Sequence, residues 1–199
     1  MPLNSLAPPR IQNNKFMKTK WIKEISKYLF KSRWYNLRQD KVKLPNGNII
    51  EYNVIESFGY SIIVPILNNN VVILEKIYRY PSDKIFIECP AGGIESDNPE
   101  NDAKRELVEE IGYKTNSLTK IGEYHVSTGT STEKAHIFLA TDLVKSNELN
   151  CEETEEIEII FLPLKTAIKM AYSGEIESMP TAFSLIMANE FLKKDKRNG

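Results

Sequence analysis

Glu106, Glu109 and Glu110 crowd into five positions just ahead of Gly112, within the run ECPAGGIESDNPENDAKRELVEEIGYKT that spans residues 88–115. As structure alone this is a poor arrangement. Like charges three or four residues apart on a helix cost a few tenths of a kcal/mol per pair. Carboxylates near a helix C-terminus also face the negative end of its dipole. A hard divalent cation reverses the sign of both costs, because carboxylate oxygens are the ligands that Mg²⁺ prefers. The plainer account is a solvated acidic face, which many helices carry.

The local signals say which element holds these side chains. Asn98 suits an N-cap, Pro99 the first helical position and Gly112 the position just past the end, so a helix is expected over 99–111. At about 100° per residue, Ala103, Leu107 and Ile111 form a narrow apolar stripe, with Glu106 and Glu110 beside it. Arg105 can pair with Glu109 across one turn, which leaves Glu106 and Glu110 uncompensated.

Strand signals surround the helix. DKVKL and IIEYNVIE (40–56) flank Asn46-Gly47 and read as a hairpin. SIIVPIL (61–67) and VVILEKI (71–77) read as a second hairpin, too apolar to face water on one side and so central in a sheet. KIFIE (84–88), EYHVS (123–127), AHIFLATDL (135–143) and IEIIFLP (157–163) are further strands, and helices are expected over 164–174 and 180–194. In WIKEISKYLFK (21–31), Trp21, Ile22, Ile25, Tyr28 and Leu29 recur at helical spacing, so an N-terminal helix is expected there. Residues 1–20 are polar and Pro-interrupted and read as a flexible leader. The expected organisation is a single α/β domain over 57–199 with an N-terminal helix and hairpin extension over 21–56.

Composition excludes several classes of function. The 199 residues carry 26 basic and 27 acidic side chains, a net charge of −1 that makes no global case for nucleic-acid binding. No window approaches about 18 uninterrupted apolar residues, so no membrane span is expected. The two cysteines, Cys89 and Cys151, form neither a metal nor a redox pattern, as in a reducing cytoplasm. Basic residues outnumber acids between Lys15 and Lys43, which fits the solvated face of a docking helix or a patch for an anionic surface. His125 and His136 lack metal-ligand spacing.

The stretch resembles the Nudix box, the loop–helix–loop signature of hydrolases acting on a nucleoside diphosphate linked to another group. Arg105-Glu106-Leu107-Val108-Glu109-Glu110-Ile111-Gly112-Tyr113 matches R-E-(apolar)-x-E-E-x-G-(apolar) at every specified place. The first half departs from the pattern. Gly92 is followed by only four residues before Asp97, one fewer than usual, Asp97 stands where the family has glutamate and Ser96 where it usually has glycine. Three runs point to the ADP-ribose pyrophosphatase and nucleotide-sugar branch: Glu88-Cys89-Pro90-Ala91-Gly92-Gly93 resembles E-x-P-A-G, Ile77-Tyr78-Arg79-Tyr80-Pro81 resembles Q-Y-R-Y-P, and Ser127 to Glu133 resembles S-P-G-x-S-x-E. Thr128 replaces the proline of that last motif, which widens the choice to other nucleoside diphosphate sugars.

The resemblance implies a Nudix fold, a mixed β-sheet sandwiched between helices. It implies Mg²⁺, with Mn²⁺ as a substitute, bound by Glu106 and Glu110 with the backbone carbonyl of Ala91, while Glu109 shares a second metal position or orients the ligands. Arg105 would orient the carboxylates. Glu153 in the acidic run CEETEEIE (151–158) would be the catalytic base, with Glu155 the second choice, on a loop that closes over substrate. Arg79 would contact a phosphate, or else form a surface ion pair. Trp34 or Tyr35 would stack the base, or else serve the core; Gly92 joins the substrate-binding set, and Glu133 would reach the substrate or a partner subunit. The implied reaction is hydrolysis of ADP-ribose or a related nucleoside diphosphate sugar by a cytoplasmic homodimer paired through its N-terminal region. The alternatives are a hydrolase of dinucleotides or oxidised nucleotides, a silent nucleotide-sensing regulator, and a membrane- or RNA-associated module using the basic segment.

Overall fold

The computed structural model describes residues 20–68, 70–146 and 156–198, with side chains described through Lys194. The expectations for residues 1–19, for Cys151 and for Glu153 and Glu155 therefore lie outside the described residues.

The chain opens with a three-stranded antiparallel sheet in the order β1-β2-β3: β1 (Ile22–Lys31), β2 (Asn36–Lys43) and β3 (Ile49–Glu56). The expected hairpin closes around Asn46-Gly47, where the Asn46 side chain accepts from the Asn48 amide and Gly47 takes a φ of 87°. The N-terminal helix expected over 21–31 is instead strand β1. The reason lies in its irregularity. Register shifts between Lys23 and Ile25 and between Tyr28 and Phe30 each add one residue against β2. Every such bulge reverses the alternation of faces, so an apolar pattern of period two is broken into longer spacings that imitate a helix.

The expected hairpin of residues 61–77 starts as one and then splits. Leu67 N–H bonds to Val71 O at 2.8 Å and Ile66 bridges to Val72, but β4 (Tyr60–Pro65) and β5 (Val71–Arg79) then enter different sheets. β4 lies between β7 (Ala91–Gly93) and β9 (Lys134–Lys145), with β8 (Tyr113–His125) at the far edge; β4 and β9 run parallel and the other pairs antiparallel. β5 lies between β10 (Ile157–Pro163) and β6 (Lys84–Glu88) in an antiparallel sheet. Each apolar strand is thus the centre of its own sheet. A strand that must be covered on both faces needs neighbours on both edges, and it cannot take them all from its sequence partner.

Side-chain alternation then builds three layers. Ile63, Ile73, Phe138 and Ala140 pack against Ala103, Leu107 and Ile111 of α1 (Pro99–Ile111). Ile62, Val64, Val72, Leu74, Ile137 and Leu139 face the other way, onto α2 (Leu164–Ser173) and α3 (Met179–Asn198). The α/β/α architecture is the expected one. Among the described residues no helix is long and apolar enough to cross a membrane.

The helix that carries the acidic triad is fixed at both ends. The Asn98 side chain accepts from the Glu100 amide at 3.0 Å, and Gly112 adopts a left-handed φ of 69° while its N–H returns to the last turn. Ser61 of β4, fully buried, donates to the Pro99 carbonyl at 2.8 Å and ties the first turn to the sheet. Helix position and β4 register are therefore set together.

Candidate active site

Two of the three glutamates of the acidic triad on α1 are inside the protein. Glu110 is 2% exposed and Glu106 8%, whereas Glu109 is only partly covered. Arg105 lies against two of them, with Nη2 at 2.6 Å from Glu106 Oε1 and Nη1 at 2.5 Å from Glu109 Oε2. This corrects the expectation that Arg105 leaves Glu106 uncompensated. Partial burial disfavours the charge of Arg105, but Glu106 and then Glu109 outweigh it and hold the guanidinium more firmly protonated. Glu110 is met from the other side, where the Ala91 amide donates to its Oε2 at 3.0 Å.

The strand β7 approaches α1 too closely for any side chain at Gly92. A Cβ built there would stand 1.9 Å from Glu106 Oε1. The E-C-P-A-G-G run is thereby pressed onto the acidic face, Ala91 against Glu110 and Gly92 against Glu106. This donor chemistry suits a hard divalent cation: two buried carboxylates backed by main-chain polar groups, already drawing one cationic side chain. Among the described residues no three acidic, histidine or cysteine side chains converge on one point as a ready metal cluster. Arg105 occupies that role in the structure as it stands.

A cavity of about 360 Å³ opens beside Gly92 and Gly93. Arg79, Glu88, Tyr60 and Glu133 line it. Arg79 donates through Nε and Nη2 to Glu88 Oε2 at 3.1 and 2.7 Å, so the guanidinium is ion-paired where it lines the cavity. Glu133 accepts from Ser57 Oγ at 3.1 Å. Tyr60 sits among these carboxylates; burial first, then Glu133 and Glu88, push its phenol up to about 12. At neutral pH it is a fixed hydrogen-bond donor. Cys89 is fully enclosed behind this wall, its thiol pushed well up by burial and by Glu75 and Glu88, which makes it a poor nucleophile.

A second cavity, of about 420 Å³, touches the first at Gly93 and runs along the box loop from Ile94 to Asp97. Trp34 and Phe58 stand on it, with Arg33 bonded to Glu95 at 2.6 Å and lying 4.7 Å over the Trp34 ring. Tyr35, the alternative to Trp34, packs on Phe30 instead. The shortened loop is pinned from the helix: Ser96 donates its hydroxyl to Asp102 Oδ2 at 2.9 Å and its amide at 3.3 Å, and Asp97 lines the cavity. The structure thus gathers Trp34, Arg79, Ala91, Gly92, Glu133 and the α1 carboxylates around one segment, residues 88–97.

The NUDIX domain model matches residues 58–181, and the model of the nucleoside diphosphate sugar hydrolase N-terminal domain matches residues 21–55. The chain belongs to the Nudix family. An ADP-ribose pyrophosphatase of Bacillus subtilis (strain 168) is 32% identical over 159 residues, 79% of this chain and 86% of that protein. The methanol dehydrogenase activator of Bacillus methanolicus is 30% identical over the same shares. A GDP-mannose pyrophosphatase of Yersinia enterocolitica is 29% identical over 178 residues, 82% of this chain and 93% of that protein. A crystal structure of an ADP compounds hydrolase superposes with a TM-score of 0.79 at 22% identity, covering 89% of this chain and 97% of that one; it establishes the shared fold.

The Nudix site also contains residues to which sequence reasoning gave no role. Glu88 aims Arg79, Asp102 holds the loop, and Tyr60 stands between Glu88 and Glu133. Thr181 on α3 accepts from the buried Cys89 amide through its Oγ1 at 3.0 Å and anchors the start of the E-C-P-A-G-G run. Only Glu88 and Asp102 left a trace in the sequence, as the first letter of that run and as an acid in the first turn of the helix.

Proposed function

We propose that the protein is a Mg²⁺-dependent hydrolase of the diphosphate bond in ADP-ribose or a related nucleoside diphosphate sugar. The observation that carries this reading is that one short segment, Glu88 to Gly93, serves both halves of the chemistry. Its Glu88 aims Arg79 into the cavity, and its Ala91 and Gly92 bear on Glu110 and Glu106.

In this reading Glu106, Glu110 and the Ala91 carbonyl hold the cation, with Glu109 at a second position and Mn²⁺ able to substitute. When bound, the cation neutralises phosphate charge and lowers the pKa of the attacking water. Arg79 binds non-bridging oxygens in a two-pronged contact, which its planar fork favours. Tyr60 donates to an oxygen near Glu133. Arg105 orients the carboxylates, and Trp34 stacks the nucleobase beside the box loop. Glu153 takes the proton of the water, with Glu155 as the alternative. Water adds across P–O–P: hydroxide joins one phosphorus, the bridging oxygen leaves on the other phosphate and takes up a proton, giving a nucleoside monophosphate and a sugar phosphate.

The proposal includes a cytoplasmic two-fold dimer. β1 is exposed along its whole length and presents Ile22, Ile25, Tyr28, Leu29 and Phe30, more apolar surface than a monomer usually leaves bare. The β1–β3 unit, residues 21–56, is its pairing surface, and residues 57–199 form the catalytic domain. A monomer mass by light scattering at micromolar concentration would remove the dimer.

The test is a panel of ADP-ribose, ADP-glucose, GDP-mannose and UDP-glucose with Mg²⁺ or EDTA, following phosphomonoester release. Turnover that is abolished by EDTA and reduced by several orders of magnitude in Glu110→Gln is expected. Chelator-insensitive turnover would overturn the reading.

A further inference from the structure

Phe58, in the link between β3 and β4, is 78% exposed and stands on the cavity that Trp34 also lines. A lone exposed phenylalanine is ordinary. This one sits on backbone that is tied down on both sides. Before it, the Ser57 amide donates to Thr132 Oγ1 and the Ser57 hydroxyl to Glu133 Oε1, each at 3.1 Å. After it, Gly59 takes a φ of 89°, and a Cβ there would stand 2.3 Å from the Lys134 carbonyl oxygen, so the close passage requires glycine. Gly59 also donates to Ser57 Oγ at 3.1 Å, and its carbonyl accepts from the Ile94 amide at 3.1 Å. A ring carried on backbone fixed in this way loses little freedom when a ligand stacks on it.

Trp34 is held from the same loop. Glu95 pairs with Arg33 at 2.6 Å, and the Arg33 guanidinium lies 4.7 Å over one face of the Trp34 ring. The residue is still 57% exposed, so its other face is open. Two consecutive residues of the box loop thus tie both aromatics: Ile94 reaches Phe58 through Gly59, and Glu95 reaches Trp34 through Arg33. The loop that runs one residue short of the Nudix pattern therefore sets the gap between the rings. The cavity holds about 420 Å³, within the roughly 300–1,000 Å³ of small-molecule sites, and joins the Arg79 cavity at Gly93. Ser96 and Asp97 give it a polar edge. A nucleobase matches this setting, with flat faces for the rings and a polar rim for the edge. A sugar carries hydroxyls around its whole ring, and two aromatic faces would leave most of them unpaired.

We infer that Phe58 is the second jaw of a base clamp, with the nucleobase lying between its ring and the open face of Trp34. The inference rests on the diphosphate reading above and adds to it a residue that determines specificity. Arg33 and Glu95 are positioning residues that hold Trp34. A clamp of this kind grips by overlap, so the two fused rings of a purine are held better than the single ring of a pyrimidine. The enzyme therefore selects purine diphosphate sugars.

ADP-glucose and UDP-glucose make a matched pair, since they differ only in the base. Steady-state kinetics on both, with Mg²⁺, are compared for the wild type, Phe58→Ala, Phe58→Leu and Phe58→Tyr. The wild type should show the lower KM for ADP-glucose. Phe58→Ala should raise that KM at least about 5-fold, the worth of one base–aromatic stack, with a smaller change in kcat and a smaller rise for UDP-glucose. Phe58→Leu, which keeps the apolar bulk and loses the ring, should behave like Phe58→Ala, and Phe58→Tyr should keep the wild-type KM. Equal rises for both substrates, or none, overturn the clamp. Binding is read separately with AMP and with ribose 5-phosphate, which carries a hydroxyl in place of the base. The chain has two tryptophans, so a Trp21→Phe background isolates the emission of Trp34. AMP should quench it, and Phe58→Ala should weaken AMP at least about 5-fold while calorimetry finds ribose 5-phosphate unchanged. No quenching, an unchanged AMP affinity or equal weakening of both ligands would overturn the clamp. Should neither sugar nucleotide be hydrolysed, the diphosphate reading fails, and these titrations decide the clamp on their own.

Discussion

Gly92 and Glu106 compete for one volume: a methyl group on the glycine would lie 1.9 Å from Glu106 Oε1. The glycine is therefore fixed by the carboxylate, and its φ plays no part, since it lies outside the left-handed region. Gly92→Ala must push Glu106 aside. Turnover should fall at least about 100-fold, since small displacements of a catalytic group carry costs of that order. Stability should fall too, since the displaced Glu106 is buried and its Oε1 already meets Arg105 at 2.6 Å. Calorimetric Mg²⁺ titration and kinetics on one preparation check this; wild-type metal affinity with wild-type turnover would contradict the contact.

Arg105 neutralises Glu106 and Glu109 in the metal-free protein. Arg105→Ala should lower stability without metal by on the order of 1 kcal/mol, discounted because the guanidinium is 37% exposed. Saturating Mg²⁺ should recover most of the loss, since a cation then takes over the same charge. Thermal melts with and without MgCl₂ measure it. A loss unchanged by Mg²⁺ would mean that Arg105 and the metal do not share these carboxylates.

Arg79 reaches Glu88 through both Nε and Nη2. Glu88→Gln removes the charge that aims the fork and keeps its shape. KM for ADP-ribose should rise about 10-fold with a smaller change in kcat, because an oriented Arg–phosphate contact is a ground-state interaction. Arg79→Lys should behave alike, and the double variant should be no worse than the poorer single one. Additive losses would show that Glu88 acts on substrate independently of Arg79.

The parts of this molecule that follow local rules could be read from its sequence. Asn98, Pro99 and Gly112 bracket α1 because capping is a matter of a few adjacent residues. The hairpin at Asn46-Gly47 was legible for the same reason. β1 was misread because its two bulges scramble the alternation on which strand recognition depends. The separation of β4 from β5 was hidden because apolarity reports that a strand is central and is silent on its neighbours. At the site, spacing left the acidic helix open between a cation site and a solvated face, and the resemblance to the Nudix box and to the E-x-P-A-G run singled out the helix and the glycine run. Neither showed Asp102 to Ser96, Thr181 to Cys89 or Arg105 to Glu106, since each is a contact that tertiary packing or side-chain choice creates.

The phenol of Tyr60 gives the fold a dependence on alkaline pH whose direction can be worked out. Its pKa rises from 10.0 in the unfolded chain to about 12 in the folded one, through burial and then through Glu133 and Glu88. The folded state thus holds the proton more tightly. The stability associated with that proton is complete below pH 10 and is lost as pH climbs from 10 towards 12. Other side chains titrate in this range, so the comparison must be internal. Tyr60→Phe has no proton to lose, and its unfolding free energy should decline less steeply between pH 10 and about 12 than that of the wild type, over the window which the phenol's two pKa values bracket. Urea titrations at the two ends of that window measure the difference. Parallel declines would show that Tyr60 is solvated in the folded protein and does not stand among the carboxylates.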